Sequence, residues 1–217
     1  MRPMPADMRY APEIFDKTNI TAARDIILRP QPGVPTDTRW ERETAWMLER
    51  VSFPQPPGVI FDIGCGVGRL SKPLVERGHY VVGVDASGPM RQMAVDYVNR
   101  PGRFECLRPE DFFVAVERGL RGQGAITAWV FQHIPAEPLT RLVRTLWSGL
   151  DKGAAFYALE RPERWIPVKW VDRQTWFDDR LDVVELLRSE GFATDGATQE
   201  PPVTICRAGA ELRRWTK

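Results

Sequence analysis

Apolar residues recur in two rhythms along this chain. From residue 58 onward, unbroken apolar runs alternate with stretches in which apolar positions return every three or four residues. The runs lie at 59–63, 80–85, 104–107 (the weakest), 125–130 and 154–159. Strands without polar alternation are buried on both faces, as in a parallel sheet covered by helices. The stretches between them, 68–77, 88–98, about 110–118 and 136–150, read as helices. The last carries Leu139, Leu142, Val143, Leu146, Trp147 and Leu150 on one stripe, and Gly78 is placed to end the first as a left-handed cap. Strand–helix alternation on this scale predicts right-handed crossovers and a doubly wound α/β sheet.

The flanks are less regular. Residues 1–35 are rich in proline and charge and read as an irregular arm, with a short helix near Ile26, Ile27 and Leu28. Thr38 and Glu41 have the spacing of a capping box, and Trp40, Thr44, Met47, Leu48 and Val51 share a face, so 38–51 is expected to be an amphipathic helix stopped by Pro54, Pro56 and Pro57. After residue 159 come Trp165, Trp170 and Trp176, a helix at about 178–190, and two pieces, 192–195 and 202–207, expected to pair antiparallel. The division this implies is an arm with a lid helix over 1–51 and one α/β domain over 52–217.

Composition narrows the function. The chain has 217 residues, the size of one ordinary domain. Its 30 basic and 29 acidic residues leave no global electrostatic footprint for nucleic acid. No apolar run is long enough to span a membrane, and the first residues lack the core of a secretory signal, so no membrane partner and a cytoplasmic location are expected. Cys65, Cys106 and Cys206 lie far apart with no Cys-x-x-Cys pair, which points to reduced thiols, no metal and no disulfide framework. Asn19-Ile20-Thr21 matches a glycosylation sequon that carries no weight without a leader.

The chemistry concentrates where the first strand meets the first helix, at Asp62-Ile63-Gly64-Cys65-Gly66-Val67-Gly68. Glycines let the backbone turn sharply and let a ligand approach its amides. The spacing is Gly-x-Gly-x-Gly, not the Gly-x-Gly-x-x-Gly of dinucleotide sites, and no Gly-Lys-Ser/Thr follows as a triphosphate loop requires. Asp62 would repel a pyrophosphate and suits a ligand bearing an amino group. Asp85, ending the second strand 21 residues after Gly64, stands where an open sheet sets an acid against two ribose hydroxyls. Bland readings exist for both: a tight strand–helix connection, and a cap on the next helix, for which Ser87 is the better candidate.

This combination closely resembles the class I (Rossmann-like) S-adenosylmethionine (SAM)-dependent methyltransferases of small-molecule type. Their acid and Gly-x-Gly-x-Gly match Asp62 to Gly68, their second acid matches Asp85, and a His-Ile-Pro segment matches Phe131-Gln132-His133-Ile134-Pro135. The likeness covers about residues 58–160. It implies a mostly parallel seven-stranded sheet with an antiparallel C-terminal strand and an N-terminal helical lid, with SAM as cofactor and S-adenosylhomocysteine (SAH) as product. By resemblance Asp62 meets the cofactor's amino end, Gly64, Cys65, Gly66 and Gly68 form its backbone side, Asp85 holds the ribose, Ala86 and Met90 flank the adenine, and Phe131 is a further cofactor-binding residue. The family's acid after strand three falls in Leu107-Arg108-Pro109-Glu110-Asp111, where Glu110 or Asp111 supplies the adenine contact.

Methyl transfer from a sulfonium is an in-line displacement, so alignment matters most and a base is needed only for a protonated nucleophile. His133 stands at the carboxyl edge of the sheet as a candidate base, or as a helix cap or packing residue; His79 reads as structural. Gln132, Glu160 and Trp40 are candidate substrate contacts. Arg161, Glu163 and Arg164 form a charged cluster with Glu160, and Trp165, Trp170 and Trp176 either wall a pocket or pack a lid. The partner expected is a small molecule, since the Asn/Asp-Pro-Pro-Tyr/Phe segment of amino-methylating DNA enzymes is replaced by Trp129-Val130-Phe131-Gln132. A nucleic-acid or protein methyltransferase, a nicotinamide oxidoreductase and a non-catalytic SAM-binding module are the competing classes.

Overall fold

The computed structural model describes residues 12–28, 34–160, 182–194, 198–199 and 211–217. Seven strands form one sheet in the order β3-β2-β1-β4-β5-β7-β6. They are β1 (Val59–Ile63), β2 (Tyr80–Val84), β3 (Phe104–Leu107), β4 (Gly122–Ala128), β5 (Leu150–Glu160), β6 (Thr198–Gln199) and β7 (Glu211–Thr216). The first five run parallel, and β7 pairs antiparallel with β5 and with β6. The helices are α1 (Ile20–Ile27), α2 (Thr36–Arg50), α3 (Ser71–Glu76), α4 (Gly88–Val98), α5 (Pro109–Glu117), α6 (Ala136–Gly149) and α7 (Val183–Ser189).

Both faces of the central strands β1, β2, β4 and β5 are largely buried, as the apolar runs require. On one side Phe61, Val82, Phe112, Leu139, Val143 and Phe156 pack beneath α5 and α6. On the other Ile60, Val81, Ile126, Leu74 and Met47 pack beneath α2, α3 and α4. Among the described residues, no helix is long and apolar enough to cross a membrane.

Several boundaries differ from the sequence reading for identifiable reasons. The helix expected at 68–77 begins only at Ser71, because Gly68 is in the left-handed region (φ 82°) and the chain is still turning. Gly78, at φ 97°, does end it as expected. The capping box at Thr38 and Glu41 is not formed. Helix α2 starts at Thr36 behind Pro35, which needs no partner for an amide proton it lacks, and Thr36 Oγ1 instead donates to Asp25 Oδ1 at 2.8 Å. Thr38 therefore lies inside the first turn. The strand expected at 125–130 stops at Ala128, since Trp129 turns left-handed (φ 64°).

At the C-terminal edge, Ala193 of the piece 192–195 makes an isolated bridge to Thr216. The partner expected at 202–207 lies outside the described residues, as do Trp165, Trp170, Trp176, Arg161, Glu163 and Arg164. The long antiparallel strand is Glu211–Thr216, paired with β5 from Ala155↔Thr216 to Glu160↔Glu211.

Candidate active site

Parallel strands present their carboxyl ends on one side, and a ligand crevice opens where neighbouring connections depart to opposite faces of the sheet. That place here is between β1 and β4, and a cavity of about 1110 Å³ lies over it. Its walls come from the turn after β1, the tip of β2, the start of α5, the tip of β4 and the N-terminal arm.

Gly64 (φ 68°) and Gly66 (φ 55°) hold the turn in a conformation that side chains resist. The Gly64 and Cys65 amides both donate to the Val84 carbonyl, at 2.7 and 3.1 Å, which locks the turn onto β2. A Cβ on Gly64 would run into Val130, the residue that closes over it from the tip of β4.

Asp85 is bound to the same turn. Its Oδ2 accepts from the Gly66 amide and its Oδ1 from the Ser87 amide, each at 2.9 Å. Burial pushes its carboxyl up, and the amides of Ser87 and Gly66 oppose that. Ser87, not Asp85, caps α4: its Oγ accepts from the Met90 amide at 3.4 Å. Asp62 is 2% exposed and accepts from Ser71 Oγ at 2.6 Å. Desolvation raises its pKa to about 6, even though the Ser71 hydrogen bond and the Arg69 charge favour the ionised form.

Arg69 follows the turn and lines the cavity with only 5% of its surface exposed. Its guanidinium donates to Glu43 Oε1 at 2.9 Å and to Thr44 Oγ1 at 3.3 Å, and lies 5.7 Å from the Trp40 ring. Glu43, fully buried on α2, also accepts from Trp129 Nε1 at 3.2 Å and faces Arg39 at 3.8 Å. One buried carboxylate thus orients two cavity residues, Arg69 and Trp129. A buried charge is tolerated only when paired and hydrogen-bonded, as this one is.

The turn after β4 is pinned from below. Glu160 accepts from the Val130 amide at 2.8 Å, the Phe131 amide at 3.2 Å and Thr127 Oγ1 at 3.4 Å. His133 closes this turn, its amide donating to the Val130 carbonyl at 2.9 Å. Its ring lines the cavity, meets the Phe15 ring edge-on at a centroid distance of 5.0 Å, and has Gln132 Nε2 3.3 Å from its own Nε2. The arm arrives at the same rim: Ser87 Oγ donates to Asp16 Oδ1 at 2.6 Å, and Ile26 and Ile27 of α1 complete the wall above the glycine turn.

The cavity therefore gathers Asp62, Gly64, Cys65, Gly66, Asp85, Ala86, Met90, Glu110 and His133 from the sequence reading. The other candidates stand elsewhere. Gly68 packs under α4, where a Cβ would come within 2.7 Å of Val98. Asp111 turns to Arg108, whose two hydrogen bonds at 2.8 and 2.9 Å hold its carboxyl below the usual range. Phe131 is core, beside Phe156; Glu160 is buried beneath the turn; Gln132 is half-buried next to His133. Trp40 is buried behind Arg69 rather than facing the cavity, with Arg24 4.7 Å over its ring.

Glu43 went unseen in the sequence because a charged residue at ordinary helical spacing reads as a solvated face, and Arg69 and Trp129 because no local pattern ties either of them to it. One signal was available: Arg39 and Glu43 sit on the same α2 face as Trp40, Met47 and the other buried positions.

Residues 60–153 match the methyltransferase domain family. A ubiquinone biosynthesis O-methyltransferase from Methylobacterium nodulans is 30% identical over 99 residues, 46% of this chain and 39% of that protein. The chain thus spans about two fifths of that curated relative (39%). Among solved structures, a magnesium protoporphyrin IX methyltransferase from Synechocystis PCC 6803 with bound SAH aligns with a TM-score of 0.64 at 17% identity, covering 95% of this chain and 97% of that one. A Haemonchus contortus phosphoethanolamine N-methyltransferase 1, in complex with phosphoethanolamine and S-adenosylhomocysteine, aligns with a TM-score of 0.66 at 14% identity, covering 94% and 47%. Sheet order and glycine turn define a Rossmann-like methyltransferase fold. The domain match runs from β1 into β5, across the strands that carry the glycine turn and lead to Asp85.

Proposed function

We propose that the cavity binds SAM and that the chain transfers its methyl group to a small-molecule acceptor. One observation carries the reading: Asp85, Asp62 and Arg69 line a single cavity around one glycine turn, each with the chemistry of a different part of that molecule. The ribose hydroxyls donate to the Asp85 carboxylate, whose two oxygens have lone pairs beyond those used by Gly66 and Ser87. The amino-acid end is a zwitterion. Its ammonium is met by Asp62 and its carboxylate by Arg69, whose fork has donors beyond those given to Glu43 and Thr44. Ala86 and Met90 flank the adenine, and Glu110 at the rim accepts from its amino group.

SAM supplies a methyl on a positively charged sulfur that leaves as a neutral thioether, so the protein's work is alignment and exclusion of water. Val130, seated over Gly64, and Trp129, tethered by Glu43, fix the wall that the acceptor approaches. His133 takes the proton from an acceptor hydroxyl or ammonium as the new bond forms. The arm, through Phe15, Asp16, Ile26 and Ile27, acts as a lid over this space. A small acceptor fits a cavity lined on one side by the arm, and the ubiquinone and porphyrin methyltransferases to which the chain is similar support that class. Incubating the protein with methyl-labelled SAM and a small-metabolite extract tests the proposal. Label is expected in a low-molecular-weight product that is lost with Asp85→Ala. Label found only in macromolecules, or left in SAM, overturns the acceptor class.

A further inference from the structure

Cys65 and Cys106 belong to segments separated by a whole strand, yet their sulfurs lie 3.3 Å apart. The strand between them is β2, whose Gly83 is in register with Cys106 of β3. A Cβ on Gly83 would come within 2.9 Å of the Cys65 sulfur. The bare α-carbon of Gly83 is thus the opening through which Cys65 reaches across the sheet. Cys65 is buried and belongs to the cavity wall, whereas Cys106 is only half-buried. The hydrogen bond with Cys106, and burial second, push the Cys65 thiol well above its ordinary value. Cys65 therefore keeps its proton, and Cys106 is the sulfur an oxidant meets first.

We propose that Cys65 and Cys106 are a modification site at which hydrogen peroxide forms a reversible disulfide that shuts the SAM-binding turn. The closing effect rests on the reading that this turn holds the adenosyl ligand. In the first step the Cys106 sulfur attacks a peroxide oxygen, the O–O bond breaks, and a sulfenic acid and water result. In the second the Cys65 sulfur attacks Cys106, the S–O bond breaks, and the departing hydroxyl takes the Cys65 proton to leave as water. Two thiols and one peroxide become one disulfide and two waters.

The bond requires the sulfurs to close from 3.3 Å to about 2.05 Å. Strand β3 is held along its length by β2, so the turn is the part that moves. That motion pulls the amides of Gly64 and Cys65 from Val84 and of Gly66 from Asp85, the contacts that shape the ligand's seat.

The test uses the full chain carrying Cys206→Ser, which removes the third thiol, located outside the described residues. Peroxide is expected to consume both remaining thiols, yield a Cys65–Cys106 cross-linked peptide by mass spectrometry, and weaken SAH binding by about tenfold or more. Dithiothreitol restores all three readings, and adding Cys106→Ser abolishes the cross-link and the loss of affinity together. Persistence of both thiols, over-oxidation of Cys106 without a cross-link, or a cross-link that leaves SAH affinity unchanged overturns the proposal. Reduced protein that ignores SAH refutes the adenosyl reading of the turn, while the peptide map still decides whether the disulfide forms.

Discussion

Glu160 holds Val130 in place: its carboxylate accepts the Val130 amide at 2.8 Å, and Val130 closes over Gly64. The carboxylate is buried, so desolvation lifts its pKa from 4.5 to about 7 in spite of the hydrogen bonds from Val130, Phe131 and Thr127. A residue expected to touch substrate instead props the turn that carries His133.

The sign of the resulting pH dependence follows from where the proton binds more tightly. Glu160 holds its proton more tightly folded than unfolded, so its contribution is fullest below 4.5 and is lost as pH rises toward about 7. Asp62 acts in the same sense between 3.8 and about 6. Stability measured by urea unfolding is expected to fall across this window, and Glu160→Gln to flatten the upper part of the fall. Glu160→Ala is expected to cost about 2–3 kcal/mol at the acid end of the window and less at its upper end, because the Val130 and Phe131 amides lose their acceptor and the variant no longer titrates. Stability that rises over the same window contradicts the assignment.

Asp62 couples the same proton to ligand binding. An ammonium beside the carboxylate favours its charged form, so SAH should bind more tightly as pH rises through about 6, with proton release below that value. Calorimetry in buffers of different ionisation enthalpy measures the released proton. Asp62→Asn should weaken binding and remove the pH dependence; a variant that keeps it shows that another group titrates.

Arg69 is separable from the rest of the seat by ligand choice. 5′-Methylthioadenosine lacks the amino-acid end, so Arg69→Lys and Arg69→Gln should weaken SAH by about 1.5–3 kcal/mol and leave methylthioadenosine unchanged. Equal losses for both ligands, with folding verified by circular dichroism, would make Arg69 a structural partner of Glu43 only.

Two glycines distinguish backbone strain from contact. Gly153 has φ 82° and nothing within 4 Å of an added Cβ, so Gly153→Ala should cost only the left-handed penalty of about 1–2 kcal/mol. Gly64→Ala adds a collision with Val130 to the same strain and should lower the melting temperature further while abolishing SAH binding. Similar melting temperatures for the two variants would mean that Val130 gives way.

Sequence periodicity located four of the parallel strands because burial on both faces leaves each as an apolar run, and β3, half-buried at the sheet edge, gave the weakest run. It missed β7, where Glu211, Arg213 and Arg214 flank Leu212 and Trp215, and only the last two are buried. A strand at this edge of the sheet tolerates charge, and Arg213 and Glu211 pair with each other at 2.8 Å. The site divides in the same way. Asp62, Gly64, Gly66 and Asp85 were legible because spacing along the chain fixes them to one turn and one strand tip. Arg69, Glu43 and Trp129 were not, because their meeting depends on how α2 packs, and no local pattern encodes that. Glu110 and Asp111 were separated only when the Arg108 pair drew Asp111 away.

The most direct measurement is a calorimetric titration of the purified chain with SAH, repeated on Asp85→Ala. One site per chain with micromolar affinity, about −8 kcal/mol, is expected, with a loss of about 1.5–3 kcal/mol in the variant. No binding heat at millimolar SAH, or equal affinity in the two proteins, would contradict the account at its root.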